Sequence, residues 1–126
     1  MVEAADYAYH LLPLLKLETT VTLDDNQRQQ LLASLSKILA ETIGKPEQYV
    51  MVTIGPAAIL MSGKPGHAAF VDIRSIGGLS RDVNRTLSRD LCELLKDALG
   101  IVPERVYLNF ADLDAGSWGW NSATFG

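Results

Sequence analysis

The chain contains one pattern twice: a short apolar run, a long amphipathic segment and a second short apolar run. The amphipathic segments, residues 25–42 and 80–99, repeat their apolar side chains with the 3.6-residue period of a helix. Each is followed by a glycine and then a proline, which is typical of a helix C-terminus. The apolar runs on either side are short and rich in Val, Ile and aromatic residues, as strands are. The pattern therefore predicts two β-α-β units.

Four predicted strands flank the two predicted helices: residues 14–20, 49–54, 69–75 and 105–110. Residues 44–50 also resemble residues 100–107, about half a chain away, so the two halves echo each other. A β-α-β crossover is right-handed and lays its helix on one face of the sheet. We therefore expect an α/β fold in which a four-stranded sheet carries both helices on one face. The other face is left bare, and oligomerisation is the natural way to cover it in a chain of 126 residues.

Composition argues against several classes of function. Acidic residues outnumber basic ones by 15 to 11, and no basic face is clustered enough for nucleic acid or an anionic membrane. No stretch approaches the roughly 20 apolar residues of a membrane span, and the amino terminus lacks a secretory pattern. Cys92 is the single cysteine and lies in an apolar helical run, which favours a buried, inert thiol in a reducing compartment. We expect a cytoplasmic protein with no nucleic-acid or membrane partner.

The segment after Asp114 is rich in small residues and contains two tryptophans and a phenylalanine. This composition predicts a final short strand or hairpin that docks on a neighbour. Trp118 and Trp120 are interpreted as anchors of the core or of an interface rather than as platforms for substrate stacking. The two histidines, His10 and His67, are far apart and have no companion ligands, so no metal site is expected.

Five short segments carry a family resemblance: residues 13–15 (PLL), 44–50 (GKPEQYV), 75–77 (SIG), 103–109 (PERVYLN) and 119–125 (GWNSATF). In their order and spacing they resemble the macrophage migration inhibitory factor (MIF) and D-dopachrome tautomerase family, within the tautomerase superfamily. The resemblance implies a tautomerase/MIF-like fold and a homotrimer whose sheets wrap into a barrel, with an active site at each subunit boundary. It divides the chain into a leader, residues 1–12, and a tautomerase/MIF-like domain, residues 13–126.

The resemblance also implies an activity: keto–enol tautomerisation of a phenylpyruvate-like α-keto acid, without a metal or organic cofactor. Pro13 matches the catalytic base, which acts through the secondary amine of a chain that begins with proline. Lys45 matches the residue that pairs with the substrate carboxylate or the enolate oxygen, and the backbone N–H of Ile76 matches a second contact to that carboxylate. Tyr107 and Asn109 match substrate-binding residues that reach the pocket from the adjacent subunit.

Each of these residues also has a purely structural interpretation. A lysine at position 45 complements the negative end of a helix dipole, and Ile76 can belong to a simple strand-to-helix turn. Tyr107 and Asn109 are two positions apart on a predicted strand, so they face the same side of the sheet and can serve cross-strand packing. The functional interpretation requires that these positions and Pro13 act as one pocket.

The largest departure from the family pattern is the segment before Pro13. While a peptide bond joins Leu12 to Pro13, the proline nitrogen is an amide and has no useful basicity. Three explanations stay open. Translation can start at residue 12 with a methionine that is then removed, or proteolysis can expose the proline. Alternatively, the leader persists, with Tyr7, Tyr9, Leu11 and Leu12 over the pocket, and the protein is a non-catalytic trimeric MIF-like binding protein.

Overall fold

The structure is a computed structural model that describes residues 12–126. Its sheet has the strand order β2-β1-β3-β4, with β1 (Leu14–Thr19), β2 (Met51–Pro56), β3 (Ala69–Ser75) and β4 (Val106–Asp112). The pairs β1–β2 and β3–β4 are parallel, whereas the central pair β1–β3 is antiparallel. Each parallel pair is connected through one helix, α1 (Asp25–Ile43) or α2 (Arg81–Leu99). The two predicted β-α-β units are therefore confirmed.

The ends of both helices are set by local capping residues. At the start of α1, Asp24 accepts from the N–H of Gln27 at 2.8 Å, and the Gln27 side chain accepts from the N–H of Asp24 at 3.0 Å. Ser80 caps α2 by accepting from a first-turn N–H at 3.1 Å. Both helices end at a left-handed glycine, Gly44 or Gly100. The two predicted helices are confirmed to within one residue at each end.

Two predicted strands are shifted along the chain. The strand predicted at residues 49–54 is preceded by a 3₁₀ turn, Glu47–Tyr49, and begins only at Met51. The strand predicted at residues 105–110 likewise follows a 3₁₀ turn, Pro103–Arg105. In both places a proline fixes the backbone φ that opens the turn, and an i→i+3 hydrogen bond closes it before the strand starts. Each strand then continues two residues further than expected.

Both helices cover the same face of the sheet. The main core contains Leu15 and Leu17 from β1 and Val71 and Ile73 from β3, all with no exposed surface, together with the leucines of both helices. Lys16, between the two β1 leucines, is exposed because successive side chains of a strand point to opposite faces. The fold is thus the predicted α/β arrangement of a four-stranded sheet with two helices on one face.

The opposite face of the sheet, which we call the open face, carries a polar row. The register places Lys16 next to Thr53 on one side and Asp72 on the other, and Asp72 next to Asn109. One carboxylate oxygen of Asp72, Oδ2, lies 3.1 Å from a guanidinium nitrogen of Arg74. The other, Oδ1, is buried and has no hydrogen-bond partner within residues 12–126. The face that the sequence leaves bare is therefore polar at its centre.

Two properties of the helices bear on the expected classes of function. Cys92 on α2 packs half-buried against the core, and burial raises the pKa of its thiol. A raised pKa keeps the thiol protonated and unreactive, in agreement with the predicted inert role. Over the described part of the chain, neither helix combines the length and the apolar character that a bilayer crossing requires.

Candidate active site

Pro13 immediately precedes β1 and forms part of the floor of a cavity of about 510 Å³ at one end of the sheet. Its ring is fully buried. Its carbonyl oxygen accepts a hydrogen bond of 3.1 Å from the N–H of Met51, so the pairing of β1 with β2 holds the proline in place. Most of the other lining residues are apolar or aromatic, and they include Leu12, Leu14, Tyr49, Leu113, Trp118 and Trp120.

The tail after β4 builds one wall of this cavity. A 3₁₀ turn leads into a two-stranded hairpin, β5 (Gly119–Trp120) and β6 (Ala123–Thr124), as predicted. Its tight turn holds Asn121 and Ser122 at φ values of 53° and 67°, which matches the left-handed residues that two-residue hairpin loops prefer. The ring of Trp120 stacks on the ring of Phe125 with centroids 6.0 Å apart. The hairpin is therefore anchored by an aromatic pair beside the cavity.

A second, small hydrophobic cluster links the tail to the turn after β3. Its buried members are Leu12, Ile76 and Phe125, each at most 7% exposed. Tyr49 and Trp118 pack against this cluster and also line the proline cavity. The structure thus brings the predicted substrate-binding residue Ile76 next to the cavity, with the Leu12 side chain packed in the same cluster.

Lys45 follows the C-terminus of α1 and lies over the turn that precedes α2. Its Cε and Nζ atoms are 3.4 and 3.9 Å from the position that a Cβ would occupy at Gly78, which has a φ of 85°. Burial lowers the pKa of Lys45 from its ordinary value of 10.5. No salt bridge joins Lys45 to a carboxylate within residues 12–126. Lys45 approaches the same turn as Ile76 but does not line the proline cavity of a single chain.

Tyr107 and Asn109 lie on the edge strand β4 and point away from the helices. Tyr107 is 67% exposed. The register sets Tyr107 beside Phe70, which in turn faces Glu18, five positions along β1 from Pro13. At about 3.3 Å per residue this is a separation of about 17 Å along the sheet. Within one chain the structure does not bring these two predicted residues to the cavity.

Three lining residues were not assigned to a site from the sequence. Tyr49 lies four positions after Lys45, in the same GKP-containing segment, and this proximity was the available signal. Trp120 is 56% exposed at the cavity, so it does not act as a core anchor in a single chain. Arg74 also lines the cavity, and only its place in the sheet register reveals this. The predicted packing of Tyr7, Tyr9 and Leu11 concerns residues outside the described range.

Comparison with known proteins gives one family. The sequence profile described as macrophage migration inhibitory factor (MIF) matches residues 12–126. The macrophage migration inhibitory factor of Meriones unguiculatus is 42% identical over 96 residues, which cover 75% of this chain and 84% of that protein. The macrophage migration inhibitory factor homolog of Trichuris trichiura is 37% identical over 115 residues, covering 90% of this chain and 100% of that protein.

Solved structures agree with the sequence matches. The macrophage migration inhibitory factor homologue from Prochlorococcus marinus superposes with a TM-score of 0.84 at 35% identity, over 90% of this chain and 99% of that one. The macrophage migration inhibitory factor-like protein from Entamoeba histolytica gives a TM-score of 0.85 at 30% identity, over 89% and 97%. Profile, sequence and fold agree, and the chain belongs to the macrophage migration inhibitory factor family.

Proposed function

We propose that this protein is a cytoplasmic keto–enol tautomerase of phenylpyruvate-like α-keto acids, and that the amine of Pro13 is its general base when Pro13 is the first residue. The observation that carries the proposal is the position of Pro13 on the floor of an aromatic-lined cavity. The chain belongs to the MIF family, and the resemblance places that family within the tautomerase superfamily, which supports the same reaction class. Residues 13–126 are the domain to which we assign the activity.

The reaction needs only a base of suitable pKa and a partner for the substrate's negative charge. A free α-amino group has a pKa of roughly 7.7–8.0, and burial in an apolar cavity lowers it, so the Pro13 amine is neutral near pH 7. The amine takes a proton from the carbon next to the keto group, and the electron pair of that C–H bond forms the enolate. The protonated amine then returns the proton to the enolate oxygen. The Pro13 amine both removes and returns the proton, so the reaction as written uses neither a metal nor an organic cofactor.

Two groups on the chain are suited to bind the substrate carboxylate. The ammonium of Lys45 is partly desolvated and has no carboxylate partner in the described range, and the turn at Ile76 lies beside it. A charge-assisted hydrogen bond from the ammonium and one from the backbone N–H of Ile76 would hold the carboxylate while the Pro13 amine removes the proton from the carbon on the other side of the keto group. Both groups also stabilise the charge that develops on the enolate.

We further propose that the active protein is a homotrimer. Tyr107 and Asn109 are exposed on an edge strand and do not line the cavity of their own chain. Along the sheet, Tyr107 lies about 17 Å from Pro13 and Asn109 about 10 Å. If they bind substrate, a neighbouring subunit must supply them, which requires the active site to lie at a subunit boundary. An open sheet face and unpaired edge strands are also the features that an oligomer covers.

A second candidate function is favoured by the burial of Leu12. In the chain as written, the nitrogen of Pro13 is an amide because Leu12 precedes it. The Leu12 side chain is 7% exposed and packs with Ile76 and Phe125. Such a protein would keep the trimer and the cavity as a non-catalytic MIF-like binding module.

One experiment separates the two candidates. Phenylpyruvate tautomerisation is measured for the full chain and for a chain that starts at Pro13, which keeps the whole main core. We expect activity in the shortened chain and a loss of about 100-fold or more in the full chain, because only the former has a basic amine. Pro13→Gly in the shortened chain is the control, since it keeps a free amine but removes the secondary amine. If neither chain is active while both form trimers, the enzyme is excluded and the binding module is favoured.

A further inference from the structure

Arg74 is the one charged side chain among the described residues that line the Pro13 cavity. It lies near the end of β3, directly across from Leu14 of β1, and Leu14 is next to Met51 of β2. Together with Ala111 of β4, which is next to Arg74, these three residues form the last row of the open face. Arg74, Leu14 and Met51 line the cavity. The cavity therefore extends from the aromatic residues at the sheet end onto the open face, where Arg74 is 51% exposed.

The guanidinium of Arg74 is held in place with part of its hydrogen-bonding capacity unused. Its Nε and Nη2 atoms both donate to Oδ2 of Asp72, at 3.3 and 3.1 Å. Its Nη1 atom has no partner within residues 12–126. Lys16 is the cross-strand neighbour of Asp72, so the patch contains two cations and one carboxylate. A guanidinium presents five N–H donors in a planar fork, and the remaining donors can take a carboxylate.

Lys45 and Arg74 lie on opposite sides of the sheet end. Lys45 belongs to the helix layer, where its side chain lies over Gly78 between α1 and α2. Arg74 projects from the open face, because its neighbours Ile73 and Ser75 are the ones buried under the helices. Pro13 and Arg74 line the same cavity, so a ligand that lies along the cavity from Pro13 past the aromatic lining meets the guanidinium of Arg74.

We propose that Arg74 binds a second carboxylate at the far end of the substrate, with Asp72 as the residue that positions it. The substrate class is then an α-keto acid whose apolar side chain ends in another carboxylate, rather than a monoacid such as phenylpyruvate. This inference rests on the proposed tautomerase function and names the substrates of the same site.

The test compares phenylpyruvate with 4-carboxyphenylpyruvate, which differ only in the second carboxylate, on the chain that starts at Pro13. We expect kcat/KM to be about 10- to 100-fold higher for the diacid, as a charge-assisted bidentate contact predicts. Arg74→Gln should abolish this preference, and Arg74→Lys should retain only part of it because lysine lacks the planar fork. Asp72→Asn should weaken the preference through KM. Arg85→Gln, on the exposed face of α2, should leave both substrates unaffected.

The result that overturns the proposal is an equal kcat/KM for the two substrates in the unsubstituted protein, or an equal loss for both in the Arg74→Gln variant. A binding measurement keeps the test independent of catalysis. Quenching of Trp118 and Trp120 fluorescence is titrated with terephthalate and with benzoate, on the full and the shortened chain. An Arg74-dependent preference of about 10-fold for terephthalate supports the site even if no variant turns over phenylpyruvate. Equal affinities count against it, whatever the activity of the protein.

Discussion

Gly78 is the residue at which the helix layer meets the candidate site. A Cβ at this position would lie 2.8 Å from Cγ2 of Ile43 and 3.4 Å from Cε of Lys45. We expect Gly78→Ala to lower the free energy of unfolding by about 2–4 kcal/mol, because steric overlap adds to the cost of a left-handed alanine. The displaced Lys45 should also bind carboxylates more weakly. Urea unfolding and a terephthalate titration measure the two effects.

Gly100→Ala is the matched control for this substitution. Gly100 has a similar φ of 70°, but no atom lies within 4 Å of an added Cβ. Only the backbone cost of about 1–2 kcal/mol should remain in this variant. Equal destabilisation by the two alanines would mean that Ile43 and Lys45 move aside without cost, and the proposed crowding would be wrong.

The lowered pKa of Lys45 predicts that a rise in pH has opposite effects on carboxylate affinity and on the free energy of unfolding. Burial lowers this pKa below 10.5, so the ammonium loses its proton at a lower pH than an exposed lysine does. Carboxylate affinity should therefore fall as the pH rises through the lowered pKa. Stability should rise over the same window, since the folded chain binds fewer protons than the unfolded chain between the two pKa values. Fluorescence titrations and urea unfolding across the alkaline range measure both, and Lys45→Gln should remove both trends.

At the scale of elements, one side chain holds the connection between β2 and β3. Arg105 donates from Nε to the carbonyl of His67 at 2.9 Å, from Nη1 to that of Met61 at 3.2 Å and from Nη2 to that of Lys64 at 3.0 Å. Lysine has no planar guanidinium and cannot donate to all three carbonyls in this geometry. We expect Arg105→Lys to lower the free energy of unfolding by about 1–2 kcal/mol and to speed amide exchange in residues 57–68.

Arg85→Lys is the control for this effect. Arg85 meets Asp82 at 3.7 Å, and both side chains are largely exposed, so the change should stay within about 0.5 kcal/mol. If the Arg105 variant leaves exchange in the loop unchanged, the three hydrogen bonds do not organise the loop.

The elements differ in how far they could be predicted from the sequence. Both helices were predictable because their signals are local: Asp24 and Ser80 at the starts, and a left-handed glycine at each end. The starts of β2 and β4 were not, since a 3₁₀ turn and a strand share the same residue types there. The cavity role of Arg74 depends on the antiparallel register that sets it opposite Leu14, and no local pattern encodes that pairing.

At the scale of the whole molecule, the proposed subunit boundary can be tested by mixing two variants. Pro13→Gly and Tyr107→Ala, each in the chain that starts at residue 13, should both be weakly active alone. If Pro13 and Tyr107 of different subunits share a site, mixed trimers contain some sites with both residues intact. We expect co-refolded equal mixtures to recover about one quarter of the normal number of sites. Sedimentation equilibrium should give three times the chain mass.

The control for this experiment mixes the two variants without unfolding, so that subunits do not exchange. No recovery after co-refolding, with trimers present, would mean that both residues act within one chain or that Tyr107 has no part in the site.

The packing of Leu12 has a consequence that is separate from the basicity of the proline nitrogen. A side chain joined to Pro13 by one peptide bond competes for the surfaces of Ile76 and Phe125 as a tethered ligand, with an effective concentration in the millimolar range. A free keto acid that occupies this apolar surface must first displace the tethered leucine. We therefore expect Leu12 to weaken the binding of any ligand that occupies this cluster, including ligands on which no chemistry is performed.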